Sequence, residues 1–128
     1  MAERYLIDTS AAIKYLNETL PEAGLLFIDG IVDTECNISF NSEIELQVWN
    51  PPDPEDIKIY SAFVAGSVVI GLSPEIIRET IRIRKMYKLR LPDALIAAID
   101  NDFTLIADND ADFKKVPDLK YLNPKQVH

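Results

Sequence analysis

The sequence has very few of the residues that most often carry nucleophilic or metal-binding chemistry. Among its 128 residues there is one cysteine, Cys36, and one histidine, the terminal His128. A single cysteine cannot form an internal disulfide, so we expect a reducing compartment, the cytoplasm. Zinc sites built from cysteine and histidine are excluded by these counts, and catalysis by an imidazole is not expected.

Long apolar runs are also missing from the sequence. The longest weakly polar stretch, residues 62–72, is interrupted by Gly66, Ser67 and Gly71 and is too short to span a bilayer. No signal-peptide pattern follows Met1. Length and composition fit one soluble domain, 1–128, with 48% hydrophobic and 27% charged residues and no membrane contact.

Strand-like and helix-like segments alternate along the chain. Strands are predicted at 4–7, 36–40, 68–70, 104–107 and 120–122. Helices are predicted at 10–16, 21–32, 42–49, 53–66 and 94–99, with a long helix opening at residue 73. This alternation predicts an α/β fold with a mostly parallel sheet that helices cover on both faces.

Three details of this pattern can be compared with a structure. Thr9 or Ser10 is expected to cap the first helix. The apolar run 68–70 is expected to be a strand buried on both faces. In the long helix we expect Ile77 and Ile81 to face the core, together with Tyr87 or Met86.

Four acidic residues lie where a predicted strand ends or a helix begins: Asp8, Glu43, Asp93 and Asp112. In an open α/β sheet these places converge on the carboxyl edge of the strands. Each residue could act only as a helix cap or first-turn acid, but together they would repel one another unless a cation neutralised them. Because magnesium prefers oxygen ligands, the sequence predicts a metal site and a phosphoryl-transfer enzyme.

The net charge of −8 conceals one strongly basic segment. Residues 78–90 contain six basic residues and one acid, whereas the rest of the chain contains 7 basic and 20 acidic residues. A basic stripe on an acidic body is either a solvated helix face or a local nucleic-acid footprint. Because the stripe leads directly into Asp93, we favour the second interpretation, with Arg82 and Lys85 as the expected contacts to a nucleic-acid backbone.

Several segments resemble, in order, the successive motifs of the PIN-domain family, and in particular of its VapC-type toxins. They are Leu6-Ile7-Asp8-Thr9-Ser10, Ser42-Glu43, Leu91-Pro92-Asp93-Ala94-Leu95-Ile96-Ala97-Ala98 and Leu105-Ile106-Ala107-Asp108-Asn109-Asp110-Ala111-Asp112-Phe113. The resemblance implies a three-layer α/β/α domain and an endoribonuclease that depends on Mg²⁺ or Mn²⁺. It also implies that Asp8, Glu43, Asp93 and Asp112 are the catalytic metal ligands, with Ser10 as a small polar neighbour.

Partners are implied by the resemblance as well. Toxins of this type are usually homodimers that cut structured RNA and are neutralised by a cognate antitoxin. Trp49 and the apolar helix around residues 57–64 are candidate surfaces for the dimer contact.

The sequence departs from the family pattern in the segment after residue 106. Family members often have threonine where this chain has Ala107, and three aspartates crowd around Asn109. Asp112 fits the fourth acidic position best, with Asp110 or Asn109 as an auxiliary contact and Asp108 facing solvent. These departures keep open a non-catalytic PIN-like module that binds RNA or protein.

Overall fold

The computed structural model describes residues 3–48 and 50–128 and contains, within them, five short strands and seven α-helices. The strands are β1 (Tyr5–Ile7), β2 (Asn37–Ser39), β3 (Val68–Ile70), β4 (Thr104–Ile106) and β5 (Tyr121–Leu122). The helices are α1 (Thr9–Leu16), α2 (Glu22–Thr34), α3 (Phe40–Val48), α4 (Pro54–Ala65), α5 (Pro74–Tyr87), α6 (Leu91–Ile99) and α7 (Asp110–Phe113). Two 3-10 turns follow α6 and β5, at Asp100–Asp102 and Pro124–Gln126. None of the helices in the described residues is long and apolar enough to cross a membrane.

The strands form one parallel sheet in the order β3-β2-β1-β4-β5. Leu6 in the central strand pairs with Asn37 on one side and Leu105 on the other. The chain moves outward from β1 to β3 and then resumes on the opposite side at β4, so the strand order reverses between β1 and β4. In open α/β sheets, ligands bind beyond the carboxyl ends of the strands at such a reversal.

Side chains that alternate along the strands build a hydrophobic core on each face of the sheet. Leu6 and Leu105 pack with α5 and α6, whereas Ile7 and Ile106 pack with α1, α2 and α4. The predicted three-layer α/β/α architecture with a parallel central sheet is therefore confirmed.

The core-facing side of α5 differs from the sequence prediction. Ile77 and Ile81 are about half exposed, at 47% and 51%, and Met86 is exposed as well. The inward stripe instead starts at Ile76 and continues through Thr80, Ile83 and Tyr87. The prediction was wrong for Ile77 and Ile81, whereas Tyr87 does pack against the core. Thr80 is accommodated because its hydroxyl donates to the Ile76 carbonyl at 2.7 Å.

Two other predictions were wrong. The strand 68–70 is not buried on both faces, since β3 is at an edge of the sheet and Val68 is 53% exposed. Neither Thr9 nor Ser10 caps α1. The cap is Asp8, whose side chain accepts a hydrogen bond from the Ser10 backbone N–H. Both of those residues already belong to the helix, which begins directly after β1.

Candidate functional site

A cavity of about 310 Å³ opens at the carboxyl edge of the sheet, where the strand order reverses. The segments after β1 and β4 and the first turn of α6 all contribute to it, together with one residue of α3. Its polar lining residues are Asp8, Thr9, Ser10, Glu45, Arg90, Asp93, Asp108 and Asn109. The sheet thus brings together residues from nearly the whole length of the chain.

Asp8 lies at the floor of this cavity and is only 7% exposed. Its Oδ2 accepts a hydrogen bond from the Ser10 hydroxyl at 2.7 Å and a longer one from the Ser10 backbone N–H at 3.4 Å. Burial raises the pKa of the Asp8 carboxyl, and these hydrogen bonds offset part of the increase. Ser10 therefore lies beside Asp8, where the sequence placed it.

Asp93 and Asp112 lie beside each other, with Arg90 Nη2 3.4 Å from Asp93 Oδ2 and 3.9 Å from Asp112 Oδ2. Burial raises the pKa of Asp93 to about 6, and the interaction with Asp112 adds to the increase. The same interaction lowers the pKa of Asp112. The two neighbouring carboxyl groups are thus partly neutralised by one guanidinium.

Glu45, and not the predicted Glu43, is the glutamate that lines the cavity. The Thr9 hydroxyl connects Glu45 to Ser42 by hydrogen bonds. Thr9 Oγ1 lies 3.1 Å from Glu45 Oε1 and 2.8 Å from Ser42 Oγ. Burial raises the pKa of Glu45, and the charge of Asp8 raises it further. Ser42 and Glu45 are three residues apart and share one face of α3, whereas Glu43 is turned about 100° from Ser42. Helical spacing from Ser42 was the signal that could have identified Glu45.

The loop after β4 separates the roles of Asp110 and Asp112. Asn109 holds Asp112 through its side-chain amide, 3.1 Å from Asp112 Oδ2. Asp110 instead accepts from the Tyr121 hydroxyl at 2.6 Å and from Gln126 at 3.0 Å. The Tyr121 hydrogen bond is the largest cause that lowers the pKa of Asp110, to about 2. Asp112 therefore turns toward Asp93, and Asp110 anchors the C-terminal segment.

Asp108 does not face solvent as predicted. Its side chain is 15% exposed, lines the cavity and forms ion pairs with Lys14 and with Lys125. Its backbone N–H donates to Ser10 Oγ at 3.1 Å. The prediction failed because both ammonium groups come from segments that are distant in sequence, α1 and the last 3-10 turn.

The two basic residues predicted to hold RNA are not among the residues that line this cavity. Arg82 donates to Glu79 at 2.8 Å and lines a separate cavity, while Lys85 is exposed on α5. The end of the basic stripe, Arg90, is the part that reaches the acidic groups. The other basic residues of the stripe do not line this cavity.

The donor chemistry of the cavity suits a hard divalent cation, since it offers carboxylate, hydroxyl and amide oxygens and no sulfur or imidazole. The raised pKa values of Asp8, Glu45 and Asp93 indicate buried acids that lack enough positive charge. Within residues 3–48 and 50–128, no three acidic, cysteine or histidine side chains are close enough to surround one ion. Magnesium commonly uses only one or two carboxylates and retains water, so the Asp93–Asp112 pair satisfies this requirement.

Comparison with known proteins gives one family and several similar folds. A family model described as "PIN domain" matches residues 5–119. A toxin–antitoxin complex from Klebsiella pneumoniae contains a similar fold, with 22% identity, a TM-score of 0.77 and coverage of 96% of this chain and 99% of that chain. VapBC2 from Rickettsia felis bound to a promoter DNA fragment is also similar, with 19% identity, a TM-score of 0.78 and coverage of 93% and 97%. No curated protein matches the sequence.

Proposed function

This chain belongs to the PIN-domain family, and from that premise we propose that it is a divalent-metal-dependent endoribonuclease. The observation that carries the proposal is the carboxyl pair Asp93–Asp112 beside buried Asp8, at the carboxyl edge where the strand order reverses. Buried acids gathered at such an edge are stabilised by a bound cation. Phosphodiester hydrolysis is a reaction that such a cation promotes.

We assign the metal-binding role to four acids, with Asp93 and Asp112 as the direct ligands. Asp8 and Glu45, which replaces the predicted Glu43, would bind the metal through the water that magnesium retains. Magnesium or manganese bound there would lower the pKa of a water molecule and neutralise charge on the scissile phosphate. Asp8 is oriented by the Ser10 hydroxyl, and Asp112 is oriented by the Asn109 amide. Both carboxylates are therefore held in fixed directions before substrate binds, which reduces the reorganisation that the reaction requires.

Arg90 is proposed to move from the acidic pair to the RNA. Its guanidinium is 81% exposed and touches both Asp93 and Asp112. With those carboxylates neutralised by a bound cation, the guanidinium would be available for a non-bridging phosphate oxygen. The products carry 5′-phosphate and 3′-hydroxyl ends, because the attacking water adds to phosphorus and the 3′-oxygen departs.

The test is cleavage of structured RNA by purified protein with magnesium, with manganese and with a chelator. Asp8→Asn and Asp93→Asn should abolish metal-dependent cutting, since each removes a negative charge from the metal site and keeps the side-chain size. Asp102→Asn is the matched control, because Asp102 is an exposed aspartate outside the cavity. Cutting that survives both cavity substitutions, or that persists in the chelator, would refute the assignment.

We also propose that the chain is the toxin of a toxin–antitoxin pair. Two of the similar structures are toxin–antitoxin complexes, and the acidic cavity is open to a segment of a partner protein. Production of this chain in a bacterium should arrest growth, and Asp93→Asn should relieve the arrest. Co-production of a small DNA-binding protein encoded beside it should relieve the arrest as well, through a complex that can be purified.

A homodimer is proposed through the exposed isoleucines of α4 and α5. Ile57, Ile77 and Ile81 are each exposed by 45% or more, although they are large apolar residues. Ile59 in the predicted contact helix is also 45% exposed, whereas Tyr60, Phe63 and Val64 of that helix are buried. Trp49, the other predicted contact, lies outside the described residues. Light scattering should give a dimer for the native chain and a monomer for Ile77→Glu/Ile81→Glu, with Leu26→Glu on α2 as control.

The non-catalytic binding module is retained as a second candidate because no three acids in the described residues surround one point. In that case the protein binds RNA or a partner without hydrolysis. Calorimetric titration with Mn²⁺ distinguishes the two functions. Binding that Asp93→Asn weakens at least tenfold supports the nuclease, and no binding at millimolar metal supports the module.

A further inference from the structure

Two ammonium groups share a single carboxylate oxygen on one wall of the acidic cavity. Lys14 and Lys125 both form ion pairs with Oδ2 of Asp108, the second at 3.5 Å. The other oxygen, Oδ1, accepts from the Asn123 amide at 2.9 Å. Two ammonium groups therefore share one oxygen of Asp108, while Asn123 contacts the other oxygen.

Sharing one carboxylate oxygen is electrostatically unfavourable for the two charged lysines. Burial lowers the pKa of Lys14, and the charge of Lys125 lowers it further, so the two ammonium groups repel each other. Both side chains keep a solvent-facing part, with 36% exposure for Lys14 and 51% for Lys125. A second anion at this place would add an acceptor for both groups and reduce their repulsion.

The pair is connected to the proposed reaction centre by two hydrogen bonds. The Asp108 backbone N–H donates to Ser10 Oγ at 3.1 Å, and that hydroxyl donates to Asp8 Oδ2 at 2.7 Å. Arg90 contacts the Asp93 side of the same cavity. The two lysines do not line the cavity themselves, but Asp108, which they share, lines it, and Arg90 lines it beside Asp93.

We infer that Lys14 and Lys125 bind a backbone phosphate of the RNA next to the scissile one. This inference rests on the proposed nuclease function and adds the path of the substrate. The RNA crosses the acidic floor from Arg90 to the two lysines, and it does not follow the basic stripe of α5. Arg82 of that stripe is held by Glu79 and lines a different cavity.

RNA binding and its salt dependence test this path. The protein carries Asp8→Asn to prevent cleavage, and a fluorescent structured RNA is titrated in magnesium at several salt concentrations. Lys14→Gln/Lys125→Gln is compared with Arg82→Gln/Lys85→Gln, which removes the same charge from the stripe. We expect the lysine substitutions to weaken binding roughly tenfold. The slope of log K against log salt should fall by about 0.7 to 0.9, the contribution of one neutralised phosphate in a single strand or a duplex.

Two further measurements separate loss of binding from loss of folding and from failure of the proposed function. Lys14→Arg/Lys125→Arg should retain the affinity, and thermal unfolding identifies any variant that is not folded. If both pairs of substitutions weakened RNA binding equally, or if only the α5 pair weakened it, the proposed path of the RNA would be wrong. The nuclease function would not be affected by that result. Absence of RNA binding by the parent protein would overturn both, and an acidic peptide that the lysine pair binds in place of RNA would overturn the path.

Discussion

Asp100 provides a pH-dependent stability that can be calculated from its surroundings. It follows α6 directly, is 3% exposed, and neither of its carboxylate oxygens has a hydrogen-bond partner among the described residues. The nearby Leu105 N–H donates to the Lys120 carbonyl instead, at 2.8 Å. A negative charge is also unfavourable at the C-terminal end of a helix. Burial is the main cause that raises the pKa of Asp100, to about 9, and Lys120 offsets only part of it.

The sign of the effect follows from proton binding. An unfolded chain releases this proton near pH 3.9, about the ordinary value for aspartate, whereas the folded chain holds it until about pH 9. The contribution of Asp100 to stability is therefore fully present below pH 4 and is lost as the pH rises to about 9. Each pH unit in that window lowers the free energy of unfolding by about 1.4 kcal/mol, so the loss from pH 5 to pH 8 is about 4 kcal/mol.

Asp100→Asn removes the titration and nearly preserves the shape of the side chain. Urea unfolding at pH 5, 6, 7 and 8 should show that the variant gains stability over the native chain by about 1.4 kcal/mol for each pH unit. Asp102→Asn removes one charge from the exposed part of the same turn and measures the effect of charge alone. If the difference in unfolding free energy between Asp100→Asn and the native chain did not change with pH, the reasoning would be refuted.

Three other predictions concern Glu45, Gly24 and Tyr121. Glu45→Gln should reduce metal-dependent RNA cleavage at least tenfold and Glu43→Gln should not, because only Glu45 lines the cavity; equal effects in the same cleavage assay would contradict this assignment. Gly24→Ala should destabilise the protein by about 1–3 kcal/mol in urea unfolding, because its Cβ would lie 2.3 Å from the Pro124 carbonyl oxygen. Gly30→Ala is the control in the same helix, because its Cβ would meet nothing within 4 Å, and it should stabilise the protein by up to about 1 kcal/mol. If Gly24→Ala also stabilised the protein, the close approach to Pro124 would be disproved. Tyr121→Phe removes the hydroxyl that contacts Asp110 and Asn109. The substitution should lower the stability measured by thermal unfolding by about 1–2 kcal/mol and should weaken Mn²⁺ binding. Unchanged metal affinity would show that Asp112 stays in place without the Tyr121 hydroxyl.

Much of the fold could be predicted because its signals are local. Alternation of strands and helices, the proline and acid at the start of α4 and the alanine-rich α6 indicated a covered parallel sheet. The bounds changed by a few residues only. The predictions that failed, such as Ile77 in α5 and Val68 in β3, depended on which neighbour covers a given side, and that information lies elsewhere in the chain.

The acidic site likewise has one part that the sequence predicts and another that only the structure shows. Asp8, Asp93 and Asp112 could be located from the sequence because each follows a strand or opens a helix, and such ends meet at one edge of a parallel sheet. The tertiary structure decided that Glu45 enters the cavity and Glu43 does not, since neighbouring residues of a helix point about 100° apart. It also decided that Asp108 faces two lysines and that Asp100 is buried with no hydrogen-bond partner for its carboxylate among the described residues. Those relations join segments distant in sequence, and only packing brings their side chains into contact.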